Sequence, residues 1–307
     1  MPTGFLTKII LSIIIVIGLF IFLSIDNGFL FFVIIILTFL IAYFLLIIYK
    51  LNIGIPINNN KSKKIPKKIY VTYYNKKKIP KKVWKNLYYF GKGYKINFFS
   101  DYDCINYLNK NFNHKFSNKF KQIKLGAHKA DFFRYCILYK EGGIYLDIDL
   151  EPKIKFDKIF DHESEKIFYT IITETKLGKR KKKLFKIREI FRRLNNQSEK
   201  SIFQAMIATY PNNPIFKKLI KDFWVITNLH KKYDIITIKF YYRLKDIVSQ
   251  NLKEGSFLTK NKDKIILFSE RNKKIKKNEK PDRTGNYPKV FNKNKVLFNS
   301  RYFDYPW

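Results

Sequence analysis

Two long apolar stretches separated by a short polar break open the chain. Ile9 to Ile25 runs 17 residues without a charge and Gly28 to Tyr49 runs 22, with only Asp26 and Asn27 between them. At 1.5 Å per residue these runs measure about 25 and 33 Å, close to the ~30 Å hydrocarbon core of a bilayer. One continuous helix through both would be about 60 Å long with Asp26 at its middle. The pattern therefore predicts a transmembrane helical hairpin, about 9–25 and 28–49, turning at Asp26-Asn27-Gly28. A single span with an extra interfacial or signal-like piece is the other reading. It is the weaker one, because the first run lacks a clear small-x-small cleavage site.

Past Tyr49 the pattern changes. Residues 51–64 read as a linker, with Asn58-Asn59-Asn60, a Lys/Ser stretch, and Pro56 and Pro66 as breakers. Lys68–Tyr74 (KIYVTYY) and Tyr94–Phe99 (YKINFF) are β-branched and aromatic and predict strands. Pro80 opens a helix through Phe90, and a second helix begins near Asp103 and runs to Asn111. Gln122–Lys140 predicts a longer amphipathic helix stopped by Gly142-Gly143. Ile144–Ile148 and Lys166–Thr173 predict two further strands, and Ser201–Thr209, Pro214–Ile226 and Ile235–Leu252 predict helices. Strands alternating with helices of this length argue an α/β fold with a largely parallel sheet. The division is a 1–50 membrane anchor, a 51–64 linker and a single 65–307 globular domain.

Charge alters the picture less than its size suggests. The chain carries 61 Lys+Arg against 24 Asp+Glu, a net +37, yet 46% of it is hydrophobic, so it is not a disordered polycation. Cys104 and Cys136 stand far apart, which excludes a disulfide scaffold or a cysteine-based zinc module. Residues 176–193 hold ten Lys/Arg with one Glu, and 271–283 hold seven with two acids. These runs are either solvated faces or surfaces drawn to anionic lipid. Neither interleaves aromatics as a single-strand nucleic-acid platform does, so no nucleic-acid partner is expected. Lys8 precedes the hairpin and six lysines between Lys50 and Lys68 follow it. The positive-inside rule thus puts both ends, and the globular domain, in the cytosol. Two N-glycosylation sequons, at Asn60 and Asn196, match what chance supplies in so Asn-rich a chain and do not decide sidedness.

The segment Gly126–Pro152 concentrates the chemistry. Asp131 and Arg134 are three apart on a helix and project from one face, either to hydrogen-bond hydroxyls or a phosphate, or as a structural ion pair. Glu141-Gly142-Gly143 ends that helix and turns the chain sharply into a strand. Asp147-Ile148-Asp149 follows, and in extended chain residues i and i+2 share a face, so both carboxylates can converge on one hard divalent cation. Such a cation would neutralise and orient a diphosphate leaving group. A second Asp-x-Asp, Asp101-Tyr102-Asp103, sits at a helix start, where acids serve the helix terminus. Asp147 and Asp149 instead lie at the C-terminal end of a buried strand, where ligands bind in open α/β sheets. His128 reads as structural or solvent-facing, and Cys136 as core.

The ordered pattern Ala130-Asp131-x-x-Arg134-Tyr135-x-Ile137-Leu138-Tyr139-x-x-Gly142-Gly143-Ile144-Tyr145-Leu146-Asp147-x-Asp149 resembles the DXD sugar-binding region of glycosyltransferase family 32. Ile65 to Tyr70, Ile79-Pro80, Gln204 to Ala208, Tyr210-Pro211 and Pro214 extend the likeness over about residues 65–220. The resemblance implies a GT-A fold, a nucleotide-diphospho-sugar donor with GDP-mannose favoured, Mn²⁺ or Mg²⁺, and retention at the anomeric carbon. It implies a glycan or lipid-linked acceptor, as in the fungal mannosyltransferases and inositol phosphorylceramide mannosyltransferases of that family. Carried over, Asp149 binds the metal and Asp147 shares metal, ribose or sugar contacts. Asp131 and Arg134 hold donor-sugar hydroxyls, Tyr145 lies near the nucleotide, and Gln204 stands where relatives often carry Asn. The family's C-terminal His and Ser-Trp elements are not clearly present, Tyr305-Pro306-Trp307 being a truncated equivalent at most. Eukaryotic relatives mostly work in the Golgi lumen, against the charge rule. A non-catalytic membrane adaptor on the same fold, binding anionic lipid through its basic face, is the alternative function.

Overall fold

The computed structural model describes Ile15, Gly18 and residues 33–43, 53–175, 199–225, 234–273 and 287–300. The chain divides into two compact units, Met1–Gly54 and Ile55–Trp307. In the first, residues 33–43 are helical, a length of about 16 Å. Among the described residues no helix is long and apolar enough to cross a membrane. Most of the expected 9–25 and 28–49 spans lies outside the described residues.

The second unit is built on one ten-stranded sheet. Its first half contains β1 (Lys68–Thr72), β2 (Lys95–Phe99), β3 (Gly143–Leu146) and β4 (Glu151–Pro152). Helices α1 (Lys81–Phe90), α2 (Asp101–Asn111), α3 (His114–Gln122) and α4 (Gly126–Glu141) connect them. There follow β5 (Ile167–Thr175), β6 (Glu199–Thr209), α5 (Pro214–Val225), α6 (Asp234–Val248), β7 (Gly255–Leu258), β8 (Lys264–Lys273), β9 (Tyr287–Asn292) and β10 (Lys295–Asn299). The spatial order is β2-β1-β3-β6-β5-β8-β9-β10-β4, with β7 paired to β8. Only four residues separate β3 from β4, yet β4 pairs with β10 at the far end of that order. Five peptide steps reach at most about 18 Å, so the sheet must curl back on itself.

The sheet is mixed rather than mostly parallel, which corrects the expectation from alternation. β1 pairs in parallel with β2 and β3, and β5 with β8, whereas β6 runs antiparallel to both β3 and β5. The reversal comes from Ser201–Thr209, read as a helix and found as the central strand β6. Residues 204–210 are buried without interruption. A short apolar run buried on both faces carries no periodicity that separates strand from helix. The antiparallel β8–β9–β10–β4 portion was not foreseen.

Alternation along the strands splits the core into two layers. On one face Ile69, Val71, Ile144, Leu146, Tyr169 and Ile171 pack with Val83 and Leu87 of α1 and with Phe156 and Phe160. On the other, Phe168 meets Phe216 and Phe240 at 5.9 and 6.2 Å between ring centroids, beneath α5 and α6. Helix α4 belongs to this second layer. It begins at Gly126, after the separate helix α3, and it is not amphipathic: Asp131 to Tyr139 are nine consecutive buried residues. A helix apolar or paired all round is a core helix. Residues 55–64, expected as a linker, lie within the second unit. There the Asn58 amide donates to the carbonyls of Tyr139 and Lys140 at 3.0 and 2.7 Å.

Candidate functional site

The site lies where the first half of α4 passes the C-terminal end of β3, beside β1. The link between them is tight. Gly142 has φ +64° and Gly143 φ +102°, and a Cβ would stand 2.5 Å from the Pro211 nitrogen or 2.8 Å from the Lys68 carbonyl oxygen, respectively. Only glycine accepts both the left-handed backbone and that close approach. This turn sets the register of β3 against α4, and so sets Asp147 against Arg134.

Arg134 is the organising side chain. Its Nη2 donates to Asp147 Oδ1 at 2.8 Å and lies 3.4 Å from Asp131 Oδ1. Nη1 donates to the Gln204 carbonyl, and Nε to the Ala130 carbonyl at 3.3 Å. Its guanidinium carbon stands 4.5 Å from the centroid of the Tyr145 ring. Tyr145 is fastened by a 2.6 Å hydrogen bond to the Thr72 hydroxyl, and Tyr135 donates to Gln204 Oε1 at 2.5 Å. Burial pushes the Tyr135 and Tyr145 phenols well above their ordinary pKa, so both stay neutral. A buried cation held by two carboxylates and several acceptors satisfies the rule that buried charges must be paired.

The β3 strand ends at Leu146. The Asp147 N–H still donates to the Ala205 carbonyl at 2.7 Å, and its own carbonyl accepts from the Leu150 N–H at 3.1 Å. Asp147 and Asp149 therefore come together through a turn rather than through strand alternation, a correction to the i,i+2 argument. Burial raises the Asp147 carboxyl above the usual carboxylate range, with Asp131 adding to the effect, against the pull of Arg134 and a hydrogen bond from Tyr145.

Both aspartates, Ile148 and Arg134 line a cavity of about 580 Å³, within the size range of small-molecule sites. Thr72, Tyr73 and Tyr74, at the C-terminal end of the parallel neighbour β1, form another wall. Lys124, Gly126, Ala127 and Lys129 complete it with Asp101, Cys104 and Phe120. This is the C-terminal edge of parallel strands, where open α/β sheets bind ligands.

Not every expected residue reaches this space. Asp131 is 2% exposed, Tyr145 0% and Gln204 3%, and none of them lines the cavity. Asp131, Tyr145 and Gln204 stand behind the cavity wall, packed around Arg134. His128 is fully buried, with Nδ1 3.6 Å from Asp131 Oδ2, and Cys136 is core. Asp103 is structural: it forms a capping box with Ser100 and an ion pair with Lys76 at 2.9 Å. Asp101, read with it as structural, lines the cavity and pairs with Lys129. Tyr73 and Tyr74 were missed, although their place at the end of the first strand was the available signal. Lys124 and Lys129 had none. Tyr305-Pro306-Trp307 and the 176–193 run lie outside the described residues.

The donor set suits a hard cation of the Mg²⁺ or Mn²⁺ kind. Such ions keep several waters and take one or two protein carboxylates together with substrate phosphates. Two aspartates on the wall of this cavity supply that number. Among the described residues no cluster of three or more His, Cys, Asp or Glu that could hold a metal ion is found.

Residues 61–166 match the family described as "Glycosyltransferase sugar-binding region containing DXD motif". The match takes in Asp131, Arg134, Tyr145, Asp147 and Asp149 and leaves out Gln204. An uncharacterized glycosyltransferase of Acanthamoeba polyphaga mimivirus is 27% identical over 136 residues, 44% of this chain and 45% of that protein. The chain thus spans less than half the length of this relative. A solved structure titled PaToxG Glycosyltransferase aligns over 62% of this chain and 72% of its own at 17% identity, with a TM-score of 0.40. Over residues 61–166 the chain is thus similar to the sugar-binding region of DXD glycosyltransferases.

Proposed function

We propose that the protein is a membrane-anchored, metal-dependent glycosyltransferase. It moves a hexosyl group from a nucleoside-diphosphate sugar to a glycan or glycolipid acceptor. The observation that carries this reading is the meeting of Asp147, Asp149 and Arg134 on one cavity at the C-terminal edge of β1 and β3, inside the matched sugar-binding region. The family 32 resemblance favours mannose from GDP-mannose and transfer with retention. The anchor is supported by the two uncharged N-terminal runs and by residues 33–43, where Phe39, Leu40, Ile41 and Tyr43 are all exposed. Water is a poor solvent for such a surface. The lysines that follow Tyr49 support a cytosolic catalytic unit.

The chemistry follows from preorganised charge. Asp149 and Asp147 would hold Mn²⁺ or Mg²⁺, which when bound neutralises the diphosphate as it departs. Arg134 holds Asp147 in a fixed place and presents positive charge to the same cavity. Its own orientation is locked by Tyr145, Asp131 and the Gln204 carbonyl, so little reorganisation is needed as charge develops on the leaving group. Tyr73 and Tyr74 offer aromatic surface on the opposite wall, and the buried residues behind the site keep it rigid.

The deciding experiment is a screen of sugar nucleotides for Mn²⁺- or Mg²⁺-dependent release of nucleoside diphosphate by the purified full chain. Asp149→Asn is expected to lower turnover by about 100-fold or more with its melting curve unchanged, because Asp149 is partly exposed. Full activity in that variant would overturn the metal assignment. Absence of release for every donor would favour the adaptor alternative.

A further inference from the structure

We propose that the face formed by residues 74–95 docks on an anionic phospholipid bilayer. Residues 75–95 contain eight lysines and no Asp or Glu. Helix α1 lies within this segment and buries Val83 and Leu87 against the sheet. At 100° per residue, Lys81, Lys82, Lys85, Tyr88 and Tyr89 fall on roughly a third of its circumference, opposite those two residues. Tyr88 and Tyr89 are 57% and 63% exposed, and Tyr74, just before the segment, is 55% exposed. Lysines interspersed with tyrosines on one exposed helical face fit a bilayer interface: the amphipathic rings sit at headgroup level and each ammonium is drawn to anionic lipid.

The packing of the rings favours lipid over nucleic acid. Binding a single strand needs open aromatic faces on which bases stack. Here each ring already has a neighbour against it. Trp84 lies nearly parallel to Tyr88 at 6.1 Å, Lys155 Nζ stands 3.4 Å from the Tyr89 ring centroid, and Lys78 Nζ 5.4 Å from that of Tyr74. Tyr74 also lines the cavity, so docking brings the cavity mouth to the headgroup layer. That consequence rests on the reading of the cavity as the transfer site; the docking itself does not.

The test uses the full chain with a fluorophore at Lys92→Cys. Native Cys104 and Cys136 are 1% and 0% exposed and escape labelling. The protein is reconstituted into brominated-lipid liposomes of phosphatidylcholine alone or with phosphatidylserine, and lipid quenching of the label is read. Quenching is expected to be several-fold greater with phosphatidylserine. In Lys81→Glu/Lys85→Glu the docked fraction should drop roughly tenfold or more, whereas Lys81→Arg/Lys85→Arg should keep it. Both pairs are exposed, so melting temperatures should match the parent. Equal quenching in the two bilayers, or an unaltered Glu variant, overturns the proposal. So does displacement of the label from lipid by single-stranded RNA at physiological salt. Nucleoside diphosphate release measured on the same preparation is a separate readout. Its absence beside intact quenching would refute the transferase reading and leave the docking face standing.

Discussion

Arg134 is the residue on which the site converges, and its chemistry is not interchangeable with another cation. A guanidinium offers five donors in a rigid fork and a flat face. Here the fork engages Asp147, Asp131 and two backbone carbonyls while the face covers Tyr145. Arg134→Lys should retain the charge but not the geometry, lowering kcat more than it raises KM, with a modest fall in melting temperature. Arg134→Ala leaves the buried Asp131 without its cation, and breaking a buried pair costs about 3–5 kcal/mol. Urea unfolding should therefore rank parent, Lys, then Ala; equal stability of all three would show that Arg134 is not holding α4 to the end of β3. The sequence places Asp131 and Arg134 one turn apart and correctly puts them near Asp147. It does not reveal which of them meets ligand, because i,i+3 spacing is the same on a solvent face and on a buried one. Burial of nine consecutive residues in α4 is a tertiary fact.

Among the elements, those with a local physical cause were the ones readable in advance. Helix α2 starts where its acids said it should, because Ser100 and Asp103 exchange hydrogen bonds in a capping box. Helix α1 follows Pro80, and α4 stops at Gly142, each for a backbone reason. By contrast, β6 was misread because a strand buried on both faces lacks the alternation that marks a half-buried one. The capping box gives a prediction with a defined sign. Partial burial pushes the Asp103 carboxyl up, but hydrogen bonds from Ser100 and Lys76 outweigh it and hold its pKa below the ordinary 3.8. A depressed folded-state pKa contributes stability above the unfolded value that is lost as pH falls through the folded one. Ser100→Ala should cost about 1 kcal/mol at neutral pH, and the gap to the parent should narrow below pH 3.8. A constant gap down to pH 3 would mean that the cap acts through the Ser100 hydroxyl alone.

At the scale of the whole molecule, the parallel-sheet expectation failed because the strands that reverse the sheet lie late in the chain. The stretch before residue 150 holds β1, β2 and β3, which are parallel, and reading β6 as a helix hid the strand that reverses the sheet. Curling brings β4 back beside β10, a long-range closure that no local signal encodes. The net charge of +37 is likewise a property of the whole, and its effect on stability depends on which electrostatic contribution is larger. Ion pairs such as Lys64–Glu163, Lys67–Asp157 and Lys76–Asp103 are substantially exposed, and exposed pairs contribute about 0–1 kcal/mol each. Repulsion among many unpaired lysines acts across the whole surface and opposes compaction. Raising salt from about 20 to about 300 mM shortens the screening length from roughly 20 to roughly 6 Å and weakens both. Since the lysines outnumber the acids, repulsion should lose more, and the melting temperature should rise with salt. The same salt should loosen the docking of residues 74–95 on anionic lipid, where attraction alone is screened. Thermal melts and lipid quenching over one salt series would then move in opposite senses. A melting temperature that falls with salt would instead make the surface ion pairs the dominant electrostatic contribution to this fold.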